Sequence, residues 1–186
     1  MSKFKSFKIK LDNNQNIEFK SAGICFYNQS NEIKVMLLKK HNKKWEFLGG
    51  NIDVNDESLL HTALREGIEE SNSSIIGINS ENDLDNLIKY VSEMEYLYWY
   101  PFEKFNYGLF FIRLPDDKVH ETITYGDNEI TENHKRTIHW LTIENVKKII
   151  KNKKNLNFEV DHFILSNLEK IINFPEKCEF LKKWKI

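Results

Sequence analysis

Apolar positions along the chain follow two different periods. Leu60, Leu64 and Ile68 recur every fourth residue through a proline-free stretch from Glu57 to Ser71, which predicts one buried stripe of an α-helix. Asp56 or Asn55 is the expected N-cap. Upstream the apolar runs are short. Ser21 to Tyr27 and Ile33 to Lys39, separated by the polar residues Asn28 to Asn31, predict a β-hairpin. Trp45 to Leu48 is a further short strand, and Gly49 and Gly50 with the polar run Asn51 to Asp56 predict a tight loop. Phe4 to Lys10 alternates polar and apolar residues as an edge strand would, ended by Asp12, Asn13 and Asn14.

Downstream, residues 72–84 read as a short strand with a loop. Tyr90 to Tyr100 and Tyr107 to Leu114 are aromatic-rich strand candidates joined through Pro101, Phe102, Glu103 and Lys104. Asp116 to Arg136 is a long polar loop, a length that marks functional or mobile segments. Ile138 to Leu141 reads as a final strand, Ile143 to Lys153 and Phe158 to Ile172 as amphipathic helices, and the end of the chain to Ile186 as a short helical tail. Neither an internal repeat nor a low-complexity linker divides the chain, so residues 1–186 are expected to form one domain, with C-terminal helices from about 143 onward.

Composition sharpens this picture. With 40% hydrophobic and 30% charged residues in 186, the chain can fill a core and still coat itself with charge, which excludes a wholly disordered polymer. Lysine plus arginine total 27 against 28 aspartate plus glutamate, and the formal net charge of -1 leaves no global field for non-specific nucleic-acid binding. Two distant cysteines, Cys25 and Cys178, form no disulfide framework or zinc pattern. No continuous apolar run reads as a secretory signal or a membrane span, so a cytoplasmic location and no membrane partner are expected.

Candidate chemistry lies on the helix that carries the stripe. At 100° per residue Glu66, Glu69 and Glu70 fall on one face, roughly opposite Leu60, Leu64 and Ile68. Like charges so spaced repel by roughly 0.2–0.5 kcal/mol per pair. A hard divalent cation would reverse that sign, since Mg²⁺ and Mn²⁺ favour oxygen ligands. A solvated acidic face is the plain alternative for Glu69 and Glu70 taken alone.

The whole pattern decides between them. Gly50, Glu57, Ser58, Ala63, Leu64, Arg65, Glu66, Glu69 and Glu70 resemble the Nudix box, G-x5-E-x7-R-E-U-x-E-E-x-G-U with U a bulky aliphatic residue, over residues 50–73. From Glu57 onward the register holds. Before it the loop is one residue longer than the box prescribes, Gly67 replaces an aliphatic residue, Asn72 replaces the closing glycine, and Leu48 stands where many relatives have proline. The resemblance implies an α/β fold, a Nudix-like α/β/α sandwich with a mixed β-sheet between helices. It also implies metal-dependent hydrolysis of a phosphoanhydride in a nucleoside diphosphate linked to another moiety, with Mg²⁺ or Mn²⁺ as cofactor. Glu66, Glu69 and Glu70 would hold the metal, and Glu57 would pair with or position Arg65. Gly49 and Gly50 are candidates to meet the substrate, and Trp45 could stack a base, although an aromatic in a strand is more often core.

In the family the general base is sometimes a box glutamate and sometimes one from a later loop, which makes Glu129 and Glu132 candidates; their loop is expected to be mobile without ligand and to order over the diphosphate. His61, His134 and His139 share no metal-ligand spacing. Lys147, Lys148, Lys151, Lys153 and Lys154 form a basic stretch, usually a solvated face, that could steer capped RNA. Two alternatives to a small nucleotide-diphosphate substrate therefore stand: an mRNA cap hydrolase and a non-catalytic nucleotide-binding module. Either a monomer or a homodimer is compatible with the sequence.

Overall fold

The computed structural model describes residues 5–12, 14–40, 42–71, 83–115, 137–151, 153–156 and 159–185. Ten strands and four α-helices are found there: β1 (Phe7–Lys10), β2 (Asn16–Phe19), β3 (Ser21–Gln29), β4 (Ile33–Lys39), β5 (Trp45–Glu46), β6 (Leu48–Asn51), α1 (Leu59–Glu70), α2 (Asp83–Ser92), β7 (Tyr96–Phe102), β8 (Tyr107–Arg113), β9 (Thr137–Thr142), α3 (Ile143–Ile150), α4 (Glu159–Asn173) and β10 (Lys182–Lys185). Eight strands make one sheet along β10-β7-β8-β3-β4-β5, with β6 paired to β3 and β9 to β4; β1 and β2 form a separate hairpin. Most pairs are antiparallel, but β3 runs parallel to β8 from Ser21 beside Tyr107 to Tyr27 beside Arg113. The sheet is therefore mixed, as the resemblance implies.

Alternation along β3 sends side chains to two cores. Ala22, Ile24 and Phe26 join a cluster with Leu59, Leu60, Ala63, Leu64 and Ile68 of α1 and Leu87 and Val91 of α2. Cys25, with Val35 and Leu37 of β4, joins Val146 of α3 and Ile164, Leu168 and Ile171 of α4 on the other face. Helices thus cover both faces. The stripe on α1 is buried as its period requires, and Leu64→Ala should cost about 2–5 kcal/mol, seen as a lowered melting temperature, because Leu64 is only 2% exposed and its loss leaves a cavity. Among the described residues no helix is long and apolar enough to cross a membrane.

Several elements depart from the sequence expectations, each for a physical reason. Tyr90, read as strand, lies in the last turn of α2, because Leu87 and Val91 lie one helical turn apart and bury against the α1 side of the sheet. β7 passes through Pro101 instead of turning there: Pro101 sits beside Gly108 of β8, and β10 pairs only with Tyr96 to Trp99, so the other edge of β7 is unpaired by β10 at the proline. The expected helical tail is strand β10, and β9 is consequently not the final strand. β2 was not anticipated: Ile17 and Phe19 are its two buried positions in four residues. The expected strand at 72–84 lies outside the described residues up to 82, and α2 begins at Asp83.

Candidate active site

The loop expected at Gly49 and Gly50 is strand β6, which pairs Gly49 with Gly23 and Gly50 with Ala22. Its glycines are needed for close approach. A Cβ on Gly50 would collide with the Glu66 carboxylate, and one on Gly49 would come within 2.6 Å of the Ala22 carbonyl oxygen. On the other side of this contact α1 lays its acidic turn against β6. The Gly49 N–H donates to Glu70 Oε2 at 2.8 Å, which ties the end of the helix to the strand. Asn72, which stands in place of the closing glycine of the box, lies outside the described residues; Ser71 is the C-cap.

Helix α1 starts two residues later than its periodicity predicts. Ser58, not Asp56 or Asn55, is the N-cap, and its hydroxyl accepts from the His61 N–H at 3.0 Å. Asp56 is thereby left for another task. Its carboxylate accepts from Arg65 Nε at 2.9 Å and Nη2 at 3.0 Å, from Thr62 Oγ1 at 2.8 Å and from the Asp53 N–H at 2.8 Å. Burial of Asp56 acts to raise its pKa, but the bonds from Arg65, the Asp53 N–H and Thr62 outweigh it and hold the carboxyl below its ordinary value. Arg65 shifts up in return, chiefly through its bond to Asp56.

This pairing corrects the expected role of Glu57. Glu57 is exposed, and its backbone N–H donates to His61 Nδ1 at 2.9 Å while Arg65 turns to Asp56. Five residues separate Gly50 from Asp56, the first interval of the box, so the extra residue falls after the acid and before the helix. Counting back from Arg65 selects Glu57; counting forward from Gly50 finds Asp56. A carboxylate at position 56 lies under the first helical turn within reach of Thr62 and Arg65, whereas position 57 faces solvent.

Arg65 then distributes its remaining donors. Nη1 reaches Glu69 Oε2 at 2.8 Å, and Nη2 approaches Glu66 Oε1 at 3.0 Å and donates to the Asn51 carbonyl at 3.0 Å. Glu66, Glu69 and Glu70 therefore occupy one helical turn beside β6 but face different partners. Among the described residues no three His, Cys, Asp or Glu side chains converge as an ion cage. Trp45 packs on the other face of the sheet, with its ring 5.2 Å from that of His139 and Lys39 Nζ 5.3 Å from its centre, so it is not brought to the carboxylates. Glu129, Glu132 and His134, with the whole expected lid from 116 to 136, lie outside the described residues.

The NUDIX domain family model matches residues 18–162, most of the chain and all of this site. The chain belongs to the Nudix family. Three solved Nudix structures are similar to it at low identity. They are a protein assigned as a NUDIX hydrolase from Listeria monocytogenes (TM-score 0.46, 15% identity, 83% of this chain and 94% of that one), the NUDIX domain of Shewanella oneidensis NrtR in complex with ADP ribose (0.47, 14%, 83% and 88%), and the Nudix hydrolase RenU from M. smegmatis (0.46, 11%, 89% and 95%). Comparison with curated proteins gave no match. The chain is accordingly a Nudix pyrophosphohydrolase, and its activity class is hydrolysis of nucleoside diphosphate derivatives.

Proposed function

We propose that the protein hydrolyses a small nucleoside diphosphate derivative with the help of Mg²⁺ or Mn²⁺ held by Glu66, Glu69 and Glu70. The observation that carries this reading is the contact of one acidic helical turn with a glycine strand: Glu66 lies on Gly50 and Glu70 on the Gly49 N–H. The donor chemistry fits a hard cation, since all three side chains offer carboxylate oxygens and the missing Gly50 side chain gives Glu66 its place. A bound divalent ion supplies charge neutralisation on the diphosphate and lowers the pKa of the attacking water. The chain's own residues do the rest. Arg65, fixed by Asp56, orients Glu66 and Glu69; Gly49 orients Glu70 through its N–H; and strand β6, without side chains at Gly49 and Gly50, makes room for these carboxylates, so that the diphosphate would meet the acidic face beside the strand.

A small substrate is favoured over capped RNA because the basic stretch spends part of its charge locally. Lys147 pairs with Glu169 at 3.2 Å and Glu144 at 3.5 Å. The test is a panel of nucleotide sugars, dinucleoside polyphosphates, nucleoside triphosphates and a capped oligonucleotide, each with Mg²⁺, Mn²⁺ or EDTA. Hydrolysis of a small diphosphate that needs the metal and varies little with salt is expected. Activity that survives EDTA, or a capped oligonucleotide cut fastest with a steep salt slope, would overturn the proposal.

A further inference from the structure

The loop between β6 and α1 holds Asp56 against Arg65 with little apolar anchorage. Ile52 is buried, but Val54 at its tip is 71% exposed, so polar ties must keep the turn in shape. Three are internal: the Asp56 N–H donates to the Asp53 carbonyl at 3.2 Å, the Asp53 N–H to Asp56 Oδ2 at 2.8 Å, and the Asn55 N–H to Asp53 Oδ1 at 2.9 Å. A further tie comes from a distant part of the chain. Lys5, just before β1, donates from Nζ to the Val54 carbonyl at 3.1 Å and to the Asp56 carbonyl. Its ammonium also lies 5.2 Å from the centre of the Phe7 ring, which places the cation over the hairpin strand that follows.

From this we infer that Lys5 is a positioning residue for the hydrolytic site, acting through the loop on the Asp56–Arg65 pair. Both ends of Asp56 are then held by cations. Its backbone carbonyl is bonded to Lys5, and its carboxylate to Arg65, which continues to Glu66 and Glu69. A charged donor shared by two converging carbonyls is stronger than a neutral one and resists rotation of the 54–56 peptides. Without it the peptides at 54–56 lose their charged donor and keep the bonds within the turn and those to the Asp56 carboxylate, so the Asp56 backbone gains freedom and Arg65 holds Glu66 and Glu69 less firmly. No atom of Lys5 needs to touch substrate for this effect. The catalytic consequence rests on the proposed role of Glu66 and Glu69, whereas the effect on Arg65 does not.

The experiment compares the full chain with Lys5→Met, which keeps an apolar stem of similar length, and Lys5→Arg, which keeps a donor cation. In metal-free, isotopically labelled protein, the exchange rate of the Arg65 side-chain Nε–H is read by nuclear magnetic resonance; melting temperature, kcat and KM are measured beside it. Loss of the charged bond in Lys5→Met is expected to speed Arg65 exchange by about tenfold and lower kcat by about tenfold, with KM within about twofold of wild type. Lys5→Arg is expected to restore both. Exchange and kcat within about twofold of wild type in Lys5→Met would overturn the inference. So would an equal loss in Lys5→Arg, which would point to a packing defect instead of a missing cation. If wild type cuts no phosphoanhydride, the proposed function fails, and the Arg65 exchange rate alone decides whether Lys5 holds the loop.

Discussion

Glu70→Gln should lower turnover by about 100-fold or more while the protein stays folded. The glutamine keeps an oxygen that can accept the Gly49 N–H, so the 2.8 Å tie between α1 and β6 survives. What disappears is negative charge beside the strand where the diphosphate is proposed to lie. The buried stripe of Leu60, Leu64 and Ile68 is on the other side of the helix and is untouched. Melting temperature and kcat therefore separate in this variant. Glu69→Gln should follow the same course. Its side chain is 55% exposed, so its removal affects stability little beyond the ion pair with Arg65. Near-native turnover in both variants would remove these residues from the reaction.

Asp56→Ala should cost about 3 kcal/mol of stability, because it takes away the partner of a largely buried arginine, leaves the Asp53 N–H without its acceptor and leaves Thr62 with only the longer bond to the Ser58 carbonyl. The Asp56 side chain is 1% exposed, so its bonds are little screened by solvent. Glu57→Ala, one residue along, should change stability by no more than about 0.5 kcal/mol, since that side chain is on the surface. The contrast is the sharpest way to tell the structural pairing from the motif's literal register. pH gives a second handle. The folded carboxyl of Asp56 titrates below its ordinary value of 3.8, so its stabilisation is complete above that value and is lost as pH falls through the folded value. Chemical denaturation of wild type and Asp56→Asn should accordingly differ most near neutral pH and converge in acid.

The acidic helix was legible in the sequence because a four-residue apolar repeat and a carboxylate cluster at helical spacing are both local signals. The β3–β4 hairpin was legible for the same reason: a polar turn separates two apolar runs. What was hidden is tertiary. Nothing in Lys182-Lys183-Trp184-Lys185 reads as a strand until β7 offers its edge and Trp184 packs near Trp99 and Phe110. Tyr90 and Val91 favour strand by residue type, yet burial beside α1 makes them helical. The role of Asp56 was hidden by the motif itself. Anchoring the count on Arg65 hands its partner's place to Glu57, and only the fold of the longer loop brings Asp56 under the helix.

The central claim, that one turn of α1 is a divalent-metal site serving phosphoanhydride hydrolysis, is tested most directly by titrating Mn²⁺ into the wild-type chain and following the water-proton relaxation of the bound ion. The same titration is run on Glu66→Gln, Glu69→Gln and Glu70→Gln, with melting temperatures to certify the fold. Saturable binding by wild type, weakened about tenfold or more in each variant, is the predicted result. Equal binding in wild type and all three variants, with their folds intact, would contradict it.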